Sequence, residues 1–205
     1  MHTEILSKEQ FELLNLLNEF KKDYYLVGGT AIALHLGHRN SIDFDLFTNK
    51  SVKSKSIKNI LDQRAIDYKI LHEAYDQIHF ILKNVKFTFL SYPFEIKHKT
   101  KFDNYITMPN LLDLSAMKSY ALGGRAKWKD YVDLYFILNS GISLVQIEGR
   151  AKEIFSEKFN VKLFRQQLAY YKDIDYSEPI NYIGNIRPSE QEIKDYLTEQ
   201  ALTEF

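Results

Sequence analysis

The chain has 205 residues, enough for one domain or two small ones with a sizeable core, and 45% hydrophobic against 26% charged residues exclude disorder. Lysine and arginine (27) balance aspartate and glutamate (27), so any nucleic-acid contact must rest on a local patch rather than on a global field. The absence of cysteine excludes disulfides, a thiolate zinc site and a cysteine nucleophile; no signal-peptide pattern and no membrane-length apolar run occur, so a cytoplasmic location without membrane contact is expected.

Ser7–Gln10 has the pattern of a capping box and predicts a helix to about Lys21, with Phe11, Leu14, Leu17 and Phe20 on one face. An apolar run, Tyr24–Val27, then ends in Gly28-Gly29-Thr30. A short apolar helix (Ala31–Leu36), a polar turn (Gly37–Ser41) and the strand-like Ile42–Phe47 follow. Ser54–Arg64 repeats apolar residues at helical spacing, and Ala65–Leu71 reads as a strand. Gln77–Leu82 and Val85–Ser91 are β-rich runs around a two-residue turn, Lys83-Asn84. Glu95–Lys101 is a basic, exposed stretch, by default a solvated face and alternatively a nucleic-acid contact. Phe102–Thr107 reads as a last edge strand.

From Pro109, which suits a first helical turn, the pattern is helical to Leu122 and, after Gly123-Gly124, again over Arg125–Leu138. Ser143–Lys158, Val161–Tyr171 and Ser189–Ala201 predict three more helices, with a loop over Asp173–Pro188. The expectation is an α+β fold: a mixed sheet with helices over 1–105, and a helical region over 106–205 packed against it.

Two stretches carry chemistry. In a strand, side chains alternate faces, so Asp43 and Asp45 point one way while Ile42, Phe44 and Leu46 point the other. Two carboxylates so close repel each other unless a cation sits between them, and hard oxygen ligands suit Mg²⁺ (or Mn²⁺) completed by substrate phosphates. Gly28 and Gly29, lacking Cβ atoms, let backbone N–H groups approach a phosphate at a helix start, with Thr30 beside them. An isolated D-x-D pair has a bland reading as exposed strand acids. The glycines upstream, with Arg39 and Ser41 between, argue for a nucleotide site. In the second stretch, Lys118 interrupts an apolar helix face, and Arg125, Lys127, Lys129, Asp130 and Asp133 crowd together. Taken alone, that crowd reads as a surface ion-pair helix.

The string Val27-Gly28-Gly29-Thr30-Ala31 … His38-Arg39 … Ser41 … Asp43 … Asp45-Leu46-Phe47 resembles the AbiEii/AbiGii nucleotidyltransferase toxin family, within the DNA-polymerase-β-like nucleotidyltransferases. The segment around Lys118 and Arg125–Leu134 resembles that family's later motifs, so the likeness runs from residue 24 to 135. It implies a magnesium-dependent transfer of a nucleotide from an NTP to RNA or protein, by a toxin restrained by a separate antitoxin. It also implies that Lys118 neutralises the triphosphate and that Asp130, with Asp133, orients it or the acceptor, while Arg125 clamps phosphate. Polymerase-β-like transferases usually carry a third carboxylate on a later strand. Val85–Ser91 has none, and Thr88 stands in its place.

A two-residue turn at Lys83-Asn84 pairs His79 with Thr88 and puts Phe80, Leu82, Val85, Phe87 and Phe89 on one apolar face. His79, Lys86 and Thr88 then share the face of Asp43 and Asp45, where a neutral His79 would accept the acceptor's proton. Two alternatives remain at this stage: a small-molecule nucleotidyltransferase of the antibiotic-modifying kind, and a nucleotide- or partner-binding module of the same fold without catalysis.

Overall fold

The computed structural model describes residues 1–203 and folds as α+β. Helix α1 (Lys8–Phe20) opens with the capping box: Ser7 Oγ accepts from Gln10 N–H, and the Gln10 side chain accepts from Ser7 N–H. Its buried face is Gln10, Leu13, Leu14, Leu16, Leu17 and Phe20; Phe11, expected on that face, is exposed, because positions 13 and 16 fill the stripe in its stead. Strand β1 (Tyr25–Val27) runs into α2 (Gly28–Leu36), and β2 (Phe44–Thr48) follows. Helix α3 (Ser54–Gln63) ends at a turn in which Ala65 takes a positive φ, so β3 (Lys69–Glu73) starts later than the apolar pattern suggested. Ile42, expected on the buried side of a strand, lies outside β2 and is exposed.

Strands β4 (Gln77–Leu82) and β5 (Val85–Ser91) form the hairpin that the turn residues predict. Lys83 and Asn84 both take positive φ, the geometry whose twist matches flanking strands. The sheet order is β1-β2-β5-β4-β3, with β2 and β5 parallel and the other pairs antiparallel. Ile78, Phe80, Leu82, Val85, Phe87 and Phe89 are buried, as alternation requires. The stretch read as one edge strand is instead a separate two-stranded sheet, β6 (Thr100–Phe102) with β7 (Ile106–Met108), because Asp103 takes a positive φ and turns the chain back.

Helix α4 (Leu111–Leu122) is capped by Asn110, whose side chain accepts from Asp113 N–H at 2.8 Å; Pro109 therefore precedes the helix rather than opening its first turn. Residues 123–127 are not helical, and α5 spans Trp128–Asn139. Helices α6 (Leu144–Phe155), α7 (Val161–Leu168) and α8 (Glu190–Leu202) complete the chain. α6 packs along α4, and α8 along α5 and α7. Tyr120 stacks on Phe155, and Arg165 of α7 binds Glu148 of α6 through two hydrogen bonds of 2.6 and 3.1 Å. α4 and α5 are buried on nearly all sides because they also pack against α2, which fastens the helical half to the sheet half.

The hairpin fixes which face His79 and Thr88 occupy. Replacing Lys83-Asn84 by Asn-Gly, better suited to positive φ at both positions, should stabilise the protein by roughly 0.5–1 kcal/mol in chemical denaturation. A loss of stability would contradict the turn geometry.

Candidate active site

Gly28 begins α2 with φ +74° and lies against the Asp45 carboxylate: a Cβ there would overlap Asp45 Oδ2. A Cβ on Gly29 would come within 2.6 Å of Arg39 Nη2 and 3.1 Å of Ser41 Oγ. The two glycines therefore let a carboxylate, a guanidinium and a hydroxyl reach the start of α2, where backbone N–H groups lack partners within the helix. Thr30 is buried; its hydroxyl lies 2.9 Å from Ser41 Oγ and donates to the carbonyl of Asp43, tying α2 to the acidic segment.

Asp45 on β2 sits opposite Thr88 on β5, and Thr88 opposite His79 on β4, so the three form one row across the sheet. They line a cleft of about 470 Å³ with Gly28 and Lys86, under a wall from α4 and its C-terminal turn that includes Lys118 and Arg125. Asp43 precedes β2, half-buried. Burial, then the charge of Asp45, raise its carboxyl above the usual range, while Lys86 and Lys129 pull the other way. Burial, with the charges of Lys86 and His72, lowers His79, which keeps its imidazole neutral at pH 7; its Nε2 lies 3.0 Å from Gln77 Oε1.

The second stretch is not a surface ion-pair helix. Asp130 and Asp133 of α5 are fully buried. Lys118 Nζ lies 2.6 Å from Asp130 Oδ1 and 2.9 Å from Asp133 Oδ2. Arg39 grips Asp133 bidentately, Nε to Oδ1 at 2.7 Å and Nη2 to Oδ2 at 2.9 Å, and His38 Nε2 is 2.8 Å from Oδ1. Arg125, half exposed, reaches Asp130 Oδ2 at 3.2 Å. Burial would raise the Asp133 carboxyl, but the charges of Arg39 and Lys118 hold it well below the carboxylate range. Burial works against the charge of Lys118, and Asp130 and Asp133 outweigh it, so its pKa is raised. Burial lowers His38, which is thus a neutral donor to Asp133.

The expected site residues thus form two groups. Gly28, Asp45, His79, Lys118 and Arg125 line the cleft, with Asp43 electrostatically coupled to Asp45. Arg39, Asp133 and Thr30 are buried and bonded to protein partners, and Ser41 and Gly29 join the groups. Two participants escape sequence reasoning. His38 is adjacent to Arg39 but gives no signal of its own. Glu178, in the loop after α7, bonds Lys127 at 2.5 Å and also Lys129, and nothing in an aperiodic loop announces that.

The donor set suits a divalent cation in one respect: the charge of Asp45 raises the Asp43 carboxyl against the pull of Lys86 and Lys129, a conflict that a cation relieves. Among the described residues no group of three or more His, Cys, Asp or Glu is placed to hold a metal, so substrate oxygens would have to complete such a site.

A five-stranded mixed sheet, a glycine pair at a helix start, Asp45 on the adjoining strand and Asp43 just before it define the class, the polymerase-β-like nucleotidyltransferase fold. MenT4, a nucleotidyltransferase toxin from Mycobacterium tuberculosis, superposes with a TM-score of 0.64 over 94% of this chain and 80% of its own, at 13% identity. JHP933 from Helicobacter pylori superposes at 0.57 over 96% and 91%, at 16% identity. An uncharacterized protein of Aquifex aeolicus is 31% identical over 175 residues, 82% of this chain and 84% of its own. Residues 13–103 match the family described as nucleotidyl transferase AbiEii toxin, type IV toxin–antitoxin system, and the chain belongs to that family.

The buried network makes a stability prediction. Asp133→Asn leaves Arg39 and Lys118 with a lost counter-charge and should cost roughly 3–5 kcal/mol in denaturant unfolding. Because the folded-state pKa of Asp133 is depressed, its contribution is complete above the unfolded carboxylate pKa and is lost as pH falls through the lower, folded value. The wild type should therefore lose stability more steeply than Asp133→Asn on acidification from pH 5. Parallel acid profiles would contradict this.

Proposed function

We propose that the chain is a magnesium-dependent nucleotidyltransferase that moves a nucleotide from an NTP to an oxygen of an RNA or protein acceptor, as the toxin of a pair with a separate antitoxin. The observation that carries this reading is the contact of Gly28 with Asp45: the open end of a helix and a strand carboxylate meet at one point of the cleft. Phosphates would lie against the N–H groups of Gly28 and Gly29, where the helix dipole favours negative charge. Asp43 and Asp45 would hold Mg²⁺ (or Mn²⁺), which when bound supplies charge neutralisation on the phosphates. An acceptor oxygen attacks the α-phosphorus, the bond to the bridging oxygen breaks, and pyrophosphate leaves.

Lys118 and Arg125 contribute positive charge on the cleft wall. Asp130 sets the position of both, and Asp133 with Arg39 holds the turn before Asp43 in place. The row Asp45–Thr88–His79 supplies no third carboxylate, and His79 takes the acceptor's proton in that role.

Asp43→Asn and Asp45→Asn should each abolish metal-dependent NTP binding, read by calorimetry, and transfer, read with labelled NTPs against size-fractionated extracts. Asp43→Asn should leave the melting temperature unchanged or raised at neutral pH, since a carboxyl whose folded pKa is raised destabilises the fold once ionised. His79→Ala should reduce transfer while sparing NTP binding. Full transfer by either aspartate variant would contradict the reading, and labelling confined to the small-molecule fraction would move the acceptor to that class.

A further inference from the structure

Between α7 and α8 the chain forms neither helix nor long strand, yet it is fastened to the site on two sides. Asp175 accepts from Trp128 N–H at 3.0 Å and donates its own N–H to Ala126 at 2.7 Å. Farther along, Asn40 N–H donates to Asn181 at 2.9 Å, and Ile183 N–H to His38 at 3.0 Å. One fastening thus holds the start of α5, and the other holds the turn that carries Arg39. Glu178 lies between them, with one carboxylate oxygen on Lys127 and the other on Lys129.

The cations near the cleft are of two kinds. Arg39 and Lys118 are 5% and 4% exposed and committed to buried carboxylates, and separating such pairs is costly. The side chains of Lys127, Lys129 and Glu178 are 32%, 20% and 42% exposed, so solvent screens their pairs and they open at lower cost than those of the buried network. Two ammonium groups spanned by two oxygens of one planar anion is the arrangement that a phosphoryl group makes, with more charge and a third oxygen. The place is also the right one: Lys129 and Glu178 are both near enough to Asp43 to shift its carboxyl, in opposite directions. Burial would raise the Glu178 carboxyl, and Lys127 and Lys129 hold it down to about 2, so it is an anion at every physiological pH.

We propose that Lys127 and Lys129 form a phosphoryl-binding subsite that Glu178 occupies in the absence of ligand, and that a substrate phosphate displaces this carboxylate. The identification of that phosphate as a terminal phosphate of the NTP rests on the nucleotidyltransferase reading; a backbone phosphate of an RNA acceptor is the other source of the same chemistry. Glu178 is then a built-in competitor that keeps the lysine pair apart from Asp43 until substrate arrives.

The test is calorimetric titration of the full chain with inorganic tripolyphosphate, with each NTP plus Mg²⁺, and with a short single-stranded RNA lacking a terminal triphosphate. Glu178→Gln should bind a phosphate ligand roughly three- to tenfold more tightly than wild type, the scale of two partly exposed ion pairs. Adding Lys127→Gln and Lys129→Gln to that variant should remove the gain. Tightening of tripolyphosphate and NTP assigns the subsite to the nucleotide, and tightening of RNA alone assigns it to the acceptor.

Unchanged or weaker affinity of a folded Glu178→Gln for all three ligands overturns the subsite, and wild-type transfer in the same preparation leaves the nucleotidyltransferase reading standing. Conversely, tighter tripolyphosphate binding by Glu178→Gln, with no NTP binding or transfer by wild type, supports the subsite and removes that reading alone. If Glu178→Gln does not fold, the Lys127→Gln, Lys129→Gln double variant replaces it. At least threefold weaker tripolyphosphate binding supports the subsite, and equal binding overturns it.

Discussion

A single buried carboxylate, Asp133, joins the parts of the molecule that must be held together. Arg39 comes to it from the turn between α2 and β2, His38 from the same turn, and Lys118 from α4. Taking so many charges out of water is unfavourable unless each is matched, and here two cations and a neutral imidazole face Asp133 while Asp130 shares Lys118. The helical half consequently cannot shift against the sheet half without stranding a buried charge. That constraint sets where Lys118 stands relative to Asp45, although the two residues are far apart in sequence and on different elements.

The same constraint gives the glycines their role. Arg39, pinned by Asp133, lies where a Gly29 side chain would be, and Asp45 lies where a Gly28 side chain would be. Pairing of β2 with β5 and of β5 with β4 then carries the row from Asp45 onward to Thr88 and His79. Each step is a steric or electrostatic contact between protein groups alone. The charges that remain near solvent, Lys127, Lys129 and Glu178, are the ones whose pairing can change.

Much of this is legible in the sequence. The hairpin register follows from two turn residues and alternation, and it places His79 opposite Thr88. The capping boxes at Ser7 and Ser189 follow from a serine with glutamine or glutamate three residues on, and the structure adds a third at Ser143. The likeness to the nucleotidyl transferase AbiEii toxin family is legible in residues 24–47 and around Lys118, and the family match itself spans residues 13–103. What stays hidden is pairing at long range. Asp133 reads as one more charge on an amphipathic helix, and only tertiary packing turns it into a buried anion; equally, the turn at Asp103 that splits one expected strand into two carries no glycine or proline to mark it. Glu178 is invisible because a loop without periodicity gives no hint of what it will touch.

The central claim is that the glycine pair and the acidic pair form one nucleotide site, and a crystal structure with Mg²⁺ and a non-hydrolysable NTP tests it most directly. The account predicts a metal at about 2.0–2.1 Å from carboxylate oxygens of both Asp43 and Asp45, with phosphates against the N–H groups of Gly28 and Gly29. A nucleotide bound elsewhere, or bound here with no metal between the two aspartates and the phosphates, would contradict it.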